Sequence, residues 1–90
     1  MIPLTVWVRV GEVALQIEKV FRVNWREITG SSRRRSVVEA RHAAMLALRE
    51  MGLNLQDIGA FIGGRDHTTV IHGIKQARIN RQKGYSPCLT

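Results

Sequence analysis

The sequence predicts an all-α fold, a small helical domain that contains a helix-turn-helix. Its 90 residues are enough for one domain with a single core of roughly three to five helices. Between residues 13 and 77, apolar residues recur at the period of a helix that is buried on one side. Near the C-terminus two such segments are separated by a short turn containing Gly63 and Gly64, which is typical of a helix-turn-helix.

The first helix is predicted around residues 13–21. Charged residues occupy one side of this segment, and four apolar residues follow a helical period: Val13, Ile17, Val20 and Phe21. Residues 1–10 alternate apolar and polar side chains as a strand does, but the sequence offers no second strand to pair with them. Their conformation is left open, and they are treated as an N-terminal extension.

A long central helix is predicted after a basic loop, TGSSRRR. Three apolar residues anchor a short connecting turn before that loop: Val23, Trp25 and Ile28. Ser36 and Glu39 have the spacing of a capping box, so the helix is expected to begin at Ser36. Its apolar stripe comprises Val37, Ala40, Ala44, Met45 and Leu48. Gly52 is the expected end of the helix.

The last two helices form the predicted helix-turn-helix. Asn54 and Asp57 mark the start of a short helix, which Gly63 and Gly64 end. The apolar residues of this helix are Leu55, Ile58, Phe61 and Ile62. Asp66 can cap the last helix, which has a polar side and an expected buried side. The buried side comprises Val70, Ile74 and Ala77.

The predicted domain, residues 11–83, is strongly basic. The chain has 14 Lys and Arg residues against 7 acidic residues, a formal charge of +7, as expected of a surface that meets polyanions. Nucleic acid is the first candidate partner and an acidic membrane the second. The run Arg33, Arg34 and Arg35 lies among glycine and serine residues, which predict a loop and not an amphipathic membrane helix. Nucleic acid is therefore favoured.

The chain ends are expected to carry no signal. Residues 84–90 are predicted to form a flexible tail, in which Cys88 is the only cysteine, so a disulfide framework is excluded. The N-terminal residues lack the basic start and the long apolar core of a signal peptide. A cytoplasmic, nucleoid-associated location without a membrane partner is the expectation.

The stretch GGRDHTTVIHGIKQ, residues 63–76, raises the question of an active site. Asp66, His67 and Thr68 are consecutive, and consecutive helical residues point about 100° apart, so they cannot form a catalytic triad with one another. His67 and His72 are five residues apart, whereas a zinc pair on one helix face needs a spacing of four. The sequence also lacks the glycine-rich phosphate-binding motifs. No catalytic residue, metal or cofactor is predicted.

The same residues suit base recognition. The N-terminal residues of a recognition helix meet the major groove. There, Asp66 can accept a hydrogen bond from cytosine, His67 can pair with a base edge, and Thr68 and Thr69 offer a hydroxyl and a methyl group. Each residue alone is more often a cap or a surface residue. Their combination favours a DNA-binding surface.

GGRDHTTVIH resembles the signature of the DNA-binding C-terminal domain of the bacterial replication initiator DnaA. The resemblance extends to IEKVFRVNWREITGSSRRRSVVEARHAAMLALRE and NLQDIGAFIGGRDHTTVIHGIKQ and covers residues 13 to about 80. It implies an all-helical, Trp-repressor-like domain that binds a short duplex box of the TTATCCACA kind. It also implies that an arginine of the basic loop, Arg33, enters the minor groove while the last helix lies in the major groove.

The resemblance implies two groups of DNA contacts. Those to bases are Arg33, Asp66, His67, Thr68, Thr69 and Val70. Those to phosphates are Arg34, Arg35, Arg41, His42, His72, Lys75 and Gln76. The sequence departs from the family at Glu39 and Ala40, where arginine and proline are usual, at His42, where glutamine is usual, and at Gln76, where lysine is common.

The initiators of this family carry an ATPase module, and no motif of that module occurs here. The chain is therefore expected to act by occupying DNA sites, as a replication or transcription regulator, and to be a stand-alone phage or accessory protein or an excised domain. Two alternatives remain open. One is an adaptor of the same fold that has lost base readout and binds an initiator or helicase, or a second copy, through residues 1–10. The other is nonspecific packaging of nucleic acid.

Overall fold

The structure, a computed structural model, describes residues 3–82. Within this range the chain forms five helices and no strand, so the all-α prediction is confirmed. The helices are α1 (Leu4–Phe21), α2 (Trp25–Thr29), α3 (Arg35–Glu50), α4 (Leu55–Phe61) and α5 (His67–Gln82). None of them is both long enough and apolar enough to cross a membrane. The predicted tail with Cys88, and Lys83 before it, lie outside the described residues.

Helix α3 lies at the centre and packs against each of the other four helices. All five residues of its predicted apolar stripe are buried, and Met45 is a core residue as expected. The predicted buried side of α5 is also confirmed, because Val70, Ile74 and Ala77 pack into the same core. The helical period thus identified the central interface of the domain.

Helix α1 begins earlier than the sequence suggested. It is continuous from Leu4, so residues 4–10 are helical. The alternation that resembled a strand places Val6 and Val10 four residues apart, which is also a helical spacing. Val10 is buried and Val6 packs against the core, and together they continue the stripe of Val13 and Ile17. Residues 1–2 lie outside the described range.

A capping box is present at the start of α2 and absent from the start of α3. The predicted connecting turn is the short helix α2, and its capping box is formed by Asn24 and Glu27: the Asn24 N–H donates to Glu27 Oε1 at 3.1 Å. The capping box predicted at Ser36 is wrong, because α3 starts at Arg35 without a side-chain cap. The loop before α3 is held by tertiary contacts, described below, and does not need a local cap.

The helix-turn-helix forms as predicted. Asn54 caps α4 by accepting from the Asp57 N–H at 2.8 Å, and Asp66 caps α5 by accepting from the Thr69 N–H at 2.9 Å. Gly63 and Gly64 both have positive φ angles, +84° and +78°, a conformation that side chains disfavour. These two glycines therefore end α4 and reverse the chain into α5.

Candidate nucleic-acid interface

The first turn of α5 presents polar side chains to solvent. Asp66, His67, Thr68 and Thr69 are all exposed, immediately after the glycine turn. Val70 is different, because its side chain is fully buried, at 0% exposure. The predicted base contact of Val70 is therefore wrong: the residue packs α5 onto the core and cannot reach a base edge. Val70 lies on the buried side of α5, although the motif includes it among the base contacts.

Close backbone packing fixes the turn before α5. The Gly64 and Arg65 N–H groups donate to the Gly59 carbonyl at 2.8 and 3.0 Å. A Cβ atom at Gly59 would lie 2.1 Å from the Arg65 carbonyl oxygen, and one at Gly63 would lie 2.1 Å from the Thr29 carbonyl oxygen. Both distances are far below contact, so the backbone of the turn rests directly on α4 and on the end of α2.

Asp66 has a structural role that competes with base contact. The backbone N–H and the hydroxyl of Thr69 both donate to its carboxylate, which lowers the pKa of Asp66 below its ordinary value of 3.8. The negative charge also lies at the N-terminus of α5, where the helix dipole favours an anion. Asp66 thus remains ionised near neutral pH and orients the first turn that carries His67 and Thr68.

Residues 30–34 form the loop between α2 and α3. Arg33, Arg34 and Arg35, at the end of the loop and the start of α3, are all exposed. Two of them make only loose ion pairs: Arg34 Nη2 lies 3.6 Å from Glu27 Oε2, and Arg35 Nε lies 4.0 Å from Glu39 Oε1. Such exposed pairs contribute little to stability and are easily exchanged for a phosphate.

Arg41 does not project into solvent as the phosphate prediction requires. It is 8% exposed, and its guanidinium group lies against the loop. Its Nε donates to the Ile28 carbonyl at 2.7 Å, and its Nη2 donates to the Ser32 carbonyl at 3.1 Å and to the carbonyls of Glu27 and Gly30, each at 3.3 Å. We correct its role accordingly: Arg41 holds the basic loop. The helical spacing did not indicate this role because its partners are 9 to 14 residues away.

Arg65 is a candidate functional residue that the sequence motif did not indicate. In the sequence it is one basic residue among several, yet it is half-buried beside the loop. Its Nη2 donates to the Gly30 carbonyl, and its Nη1 donates to the carbonyls of Thr29 and Ile62. In the sequence, only its position between Gly64 and Asp66 indicates that it lies close to the start of α5. We call Arg41 and Arg65 together the arginine clamp.

His42 and His72 come together between α3 and α5. Their ring centroids are 6.2 Å apart, with the rings perpendicular. Burial lowers the pKa of His42, the positive charges of His72 and Arg41 lower it further, and Glu39 partly opposes them. Two of the predicted phosphate contacts are therefore neighbours in space.

The remaining predicted phosphate contacts lie further along α5. Lys75 is exposed and lines a groove with Arg49 and Arg78, whereas Gln76 is half-buried. Within residues 3–82, no three histidine, cysteine or acidic side chains come close enough to hold a metal ion. The exposed side chains of the loop and of the first turns of α5 carry guanidinium, imidazole, ammonium and hydroxyl groups and one capping carboxylate. These groups suit hydrogen bonding to a duplex.

Comparison with known proteins identifies the family. Residues 10–77 match the family model described as the bacterial DnaA protein helix-turn-helix. Three similar curated proteins are each named chromosomal replication initiator protein DnaA. The one from Thermomicrobium roseum is 54% identical over 55 residues, 60% of this chain and 12% of that protein. The one from Bifidobacterium animalis subsp. lactis is 41% identical over 77 residues, 84% of this chain and 13% of that protein. The one from Streptococcus agalactiae serotype Ia is 36% identical over 77 residues, 84% of this chain and 17% of that protein.

The matched region coincides with the structural elements described above. The chain spans less than a fifth of the length of these relatives. No solved structure matches significantly. The family match covers most of the chain, from Val10 within α1 through most of α5. The chain therefore belongs to the family of bacterial DnaA helix-turn-helix domains, which are DNA-binding domains.

Proposed function

We propose that this domain binds a short asymmetric duplex box of the TTATCCACA kind and discriminates it from other sequences. The main support is the exposed run Asp66, His67, Thr68 and Thr69 at the N-terminus of α5. In a helix-turn-helix this part of the second helix approaches base edges in the major groove. Short polar side chains there allow close contact with bases.

The basic loop supplies the second part of the proposed interface. Arg33 is exposed in the loop, and arginine is favoured in the narrow minor groove of A·T-rich DNA, such as the TTAT end of the box. We assign phosphate contacts to Arg34, Arg35, His42, His72, Lys75 and Gln76. The Gly30 carbonyl, at the start of the loop, accepts from Arg65 in the turn before α5, so the two parts of the interface are neighbours.

The domain would act by occupancy. A single module of this size buries only about 600 to 1,000 Å² on DNA, so strong binding calls for tandem boxes, a second copy or a partner. Occupied boxes at an origin or a promoter would regulate replication or transcription in the cytoplasm, at the nucleoid. The match of the chain to the helix-turn-helix part of replication initiators supports this role.

A protein-interaction adaptor is the second candidate, and α1 favours it. Leu4, Trp7, Val8 and Leu15 are 78, 54, 59 and 62% exposed, which is unusual for a helix of a small domain. Trp7 also makes an edge contact with Phe61, with ring centroids 4.6 Å apart, so the side chain is fixed in place beside α4. A partner or a second copy could bind there without covering α5.

The first test is fluorescence anisotropy with a TTATCCACA duplex and a base-shuffled duplex over a range of salt concentrations. We expect a preference for the box of about tenfold or more that persists as the salt concentration rises. Equal affinity for both duplexes, lost together with salt, would contradict sequence-specific binding to this box. Selection from random DNA would then distinguish another box from nonspecific binding.

Two substitutions separate base contact from phosphate contact. His67→Ala should abolish most of the box preference while nonspecific binding remains. Arg34→Ala, the matched control, should weaken binding to all duplexes similarly and reduce the salt slope by about one unit. Unchanged discrimination in His67→Ala would contradict the assignment of His67 as a base contact.

Chemical-shift mapping on the full chain separates the DNA-binding proposal from the adaptor. Shift changes on addition of duplex should concentrate at residues 33–36 and 65–72. If α1 responds to a protein partner while these residues never respond to duplex, the adaptor is supported. Trp7→Ala should then weaken partner binding and leave any DNA affinity unchanged.

A further inference from the structure

The loop 30–34 and the turn before α5 share one hydrogen-bond acceptor. The Gly30 carbonyl accepts from Nη2 of Arg41, on α3, and from Nη2 of Arg65, in the turn. Arg65 also donates to Thr29 and Ile62, which belong to the end of α2 and the end of α4. One guanidinium group therefore joins the loop that carries Arg33 to the turn that precedes the recognition helix.

Backbone packing reinforces this junction. The Cα of Gly63 lies so close to the Thr29 carbonyl that no side chain fits between them. A methylene at this point would have to separate the turn from α2. The distance between the two proposed DNA-binding parts is thus set by direct contact and by the arginine clamp.

The arginine clamp requires arginine, and not just a positive charge, at its two positions. Burial lowers the pKa of Arg41 and of Arg65, and the positive charge of Arg65 lowers that of Arg41 further. Among residues 3–82 no carboxylate pairs with either guanidinium, so backbone carbonyls alone compensate their burial. A guanidinium has five donors in a planar fork and can bind several carbonyls at once. A lysine ammonium has the same charge but lacks this fork.

We propose that Arg65 is a positioning residue for minor-groove recognition: it fixes the Arg33 loop relative to the recognition helix, so that Arg33 enters the minor groove when α5 lies in the major groove. This inference rests on the proposed sequence-specific binding. Arg65 acts through the loop, and its removal changes the discrimination that Arg33 provides. A residue that only contacted phosphate would change the affinity for every sequence equally.

Inosine provides a readout of the minor groove alone. An inosine·cytosine pair has the donor and acceptor pattern of G·C in the major groove, but it lacks the guanine N2 amino group in the minor groove. The A·T pairs of the TTAT end are replaced by G·C in one duplex and by inosine·cytosine in another. The minor-groove ratio is the dissociation constant for the G·C duplex divided by that for the inosine·cytosine duplex. It reports only the contact made in the minor groove.

The experiment compares the minor-groove ratio of the wild-type chain with those of four variants. We expect about tenfold for the wild type and a value near one for Arg33→Ala. Arg65→Lys and Arg65→Gln should reduce the ratio to about threefold or less. In Arg65→Lys the charge is kept, so the salt slope should match that of the wild type. Arg9→Gln is the charge-matched control for Arg65→Gln: Arg9 lies beside Met51, at the opposite end of α3 from the loop, and this variant should keep the wild-type ratio.

Each outcome decides the proposal. The positioning role is overturned if Arg65→Lys and Arg65→Gln both keep the minor-groove ratio of the wild type. It is also overturned if the wild type prefers the box but has a minor-groove ratio near one. Absence of any box preference in the wild type refutes the proposed function itself and, with it, the positioning role. Thermal melts of all variants ensure that binding is measured on folded protein. If both Arg65 variants are unfolded, the same ratio is measured for Arg41→Lys, which loosens the loop from the α3 side and is expected to lower the ratio as well.

Discussion

The two segments that precede α3 and α5 are stabilised in different ways. The turn before α5 is stabilised by its own neighbours: α4 supplies the Gly59 carbonyl, and Asp66 caps the helix that follows. The loop 30–34 has few bonds of its own, among them a long contact from the Arg34 N–H to Ser32 Oγ at 3.4 Å. Its carbonyls are bound by Arg41 and Arg65, which are distant in sequence.

This difference has a consequence for the proposed interface. The backbone of the turn can keep its shape if the loop moves, because the hydrogen bonds of its N–H groups are local. The loop cannot keep its shape without the arginine clamp. Changes to the backbone of the turn should therefore disturb both parts of the interface, whereas changes to the two guanidinium groups of the arginine clamp should disturb mainly the loop.

The largest effect is expected for Gly63→Ala, which disrupts the contact between the two segments. A side chain at φ +84° costs about 1 to 2 kcal/mol, and the collision of its Cβ with the Thr29 carbonyl adds about 1 to 3 kcal/mol. Gly64→Ala is the matched control, because its φ is similar, +78°, but a Cβ there meets no atom within 4 Å. Denaturant unfolding should show a loss of about 3 kcal/mol for Gly63→Ala and about 1 kcal/mol for Gly64→Ala. Equal losses would mean that the contact with Thr29 does not matter.

Arg41→Met should destabilise the domain by about 2 to 3 kcal/mol, because the carbonyls of Glu27, Ile28 and Ser32 lose their Arg41 donor and the Gly30 carbonyl keeps only Arg65. Arg49→Met, on the same helix, removes an exposed arginine with a single bond to the Leu53 carbonyl and should cost less than about 1 kcal/mol. Amide hydrogen exchange in Arg41→Met should accelerate at residues 30–34 more than at residues 63–66. Uniform acceleration would contradict the separate stabilisation of the two segments.

A smaller loss of stability is expected for Asp66→Ala, which removes the cap of α5. Asp66→Asn should keep most of the cap, because an asparagine oxygen also accepts from the Thr69 N–H. The lowered pKa of Asp66 means that its charge stabilises the folded state fully above pH 3.8, and that this contribution is lost as the pH falls through the lowered pKa. Thermal melts at about pH 6 and about pH 3 should therefore differ less for Asp66→Asn than for the wild type. An identical pH dependence in both proteins would exclude this role of the carboxylate.

The smallest effect concerns His42, which follows Arg41 on α3 and adjoins α5. Its folded-state pKa is lowered from 6.5, so protonation favours the unfolded chain. The corresponding stability is fully present above pH 6.5 and is lost as the pH falls toward the lowered pKa. Between about pH 7.5 and about pH 5.5 the melting temperature of His42→Gln should fall less than that of the wild type. His67→Gln, at an exposed position, serves as the control and should follow the wild type.

The helical fold and its central interface follow from the order of the residues along the chain. The stripe on α3, the buried side of α5, the glycine turn and the caps at Asn54 and Asp66 were all predicted, because each depends on residues within about one turn of one another. The family followed from the motif of residues 63–72, which the comparison confirms. The start of α1 was not determined, since Val6 and Val10 satisfy a strand period and a helix period equally well.

Which side chains of the family pattern are exposed depends on contacts between segments that are distant in the sequence. Val70 and Arg41 belong to the family pattern, but Val70 is taken up by the core and Arg41 by the loop. The start of α3 was also decided by contacts with distant residues, which replaced the expected cap at Ser36. Local spacing cannot predict these outcomes, because burial and carbonyl binding depend on which segments the fold brings together. Arg65 acquires its partners in the same way, from carbonyls up to 36 residues away.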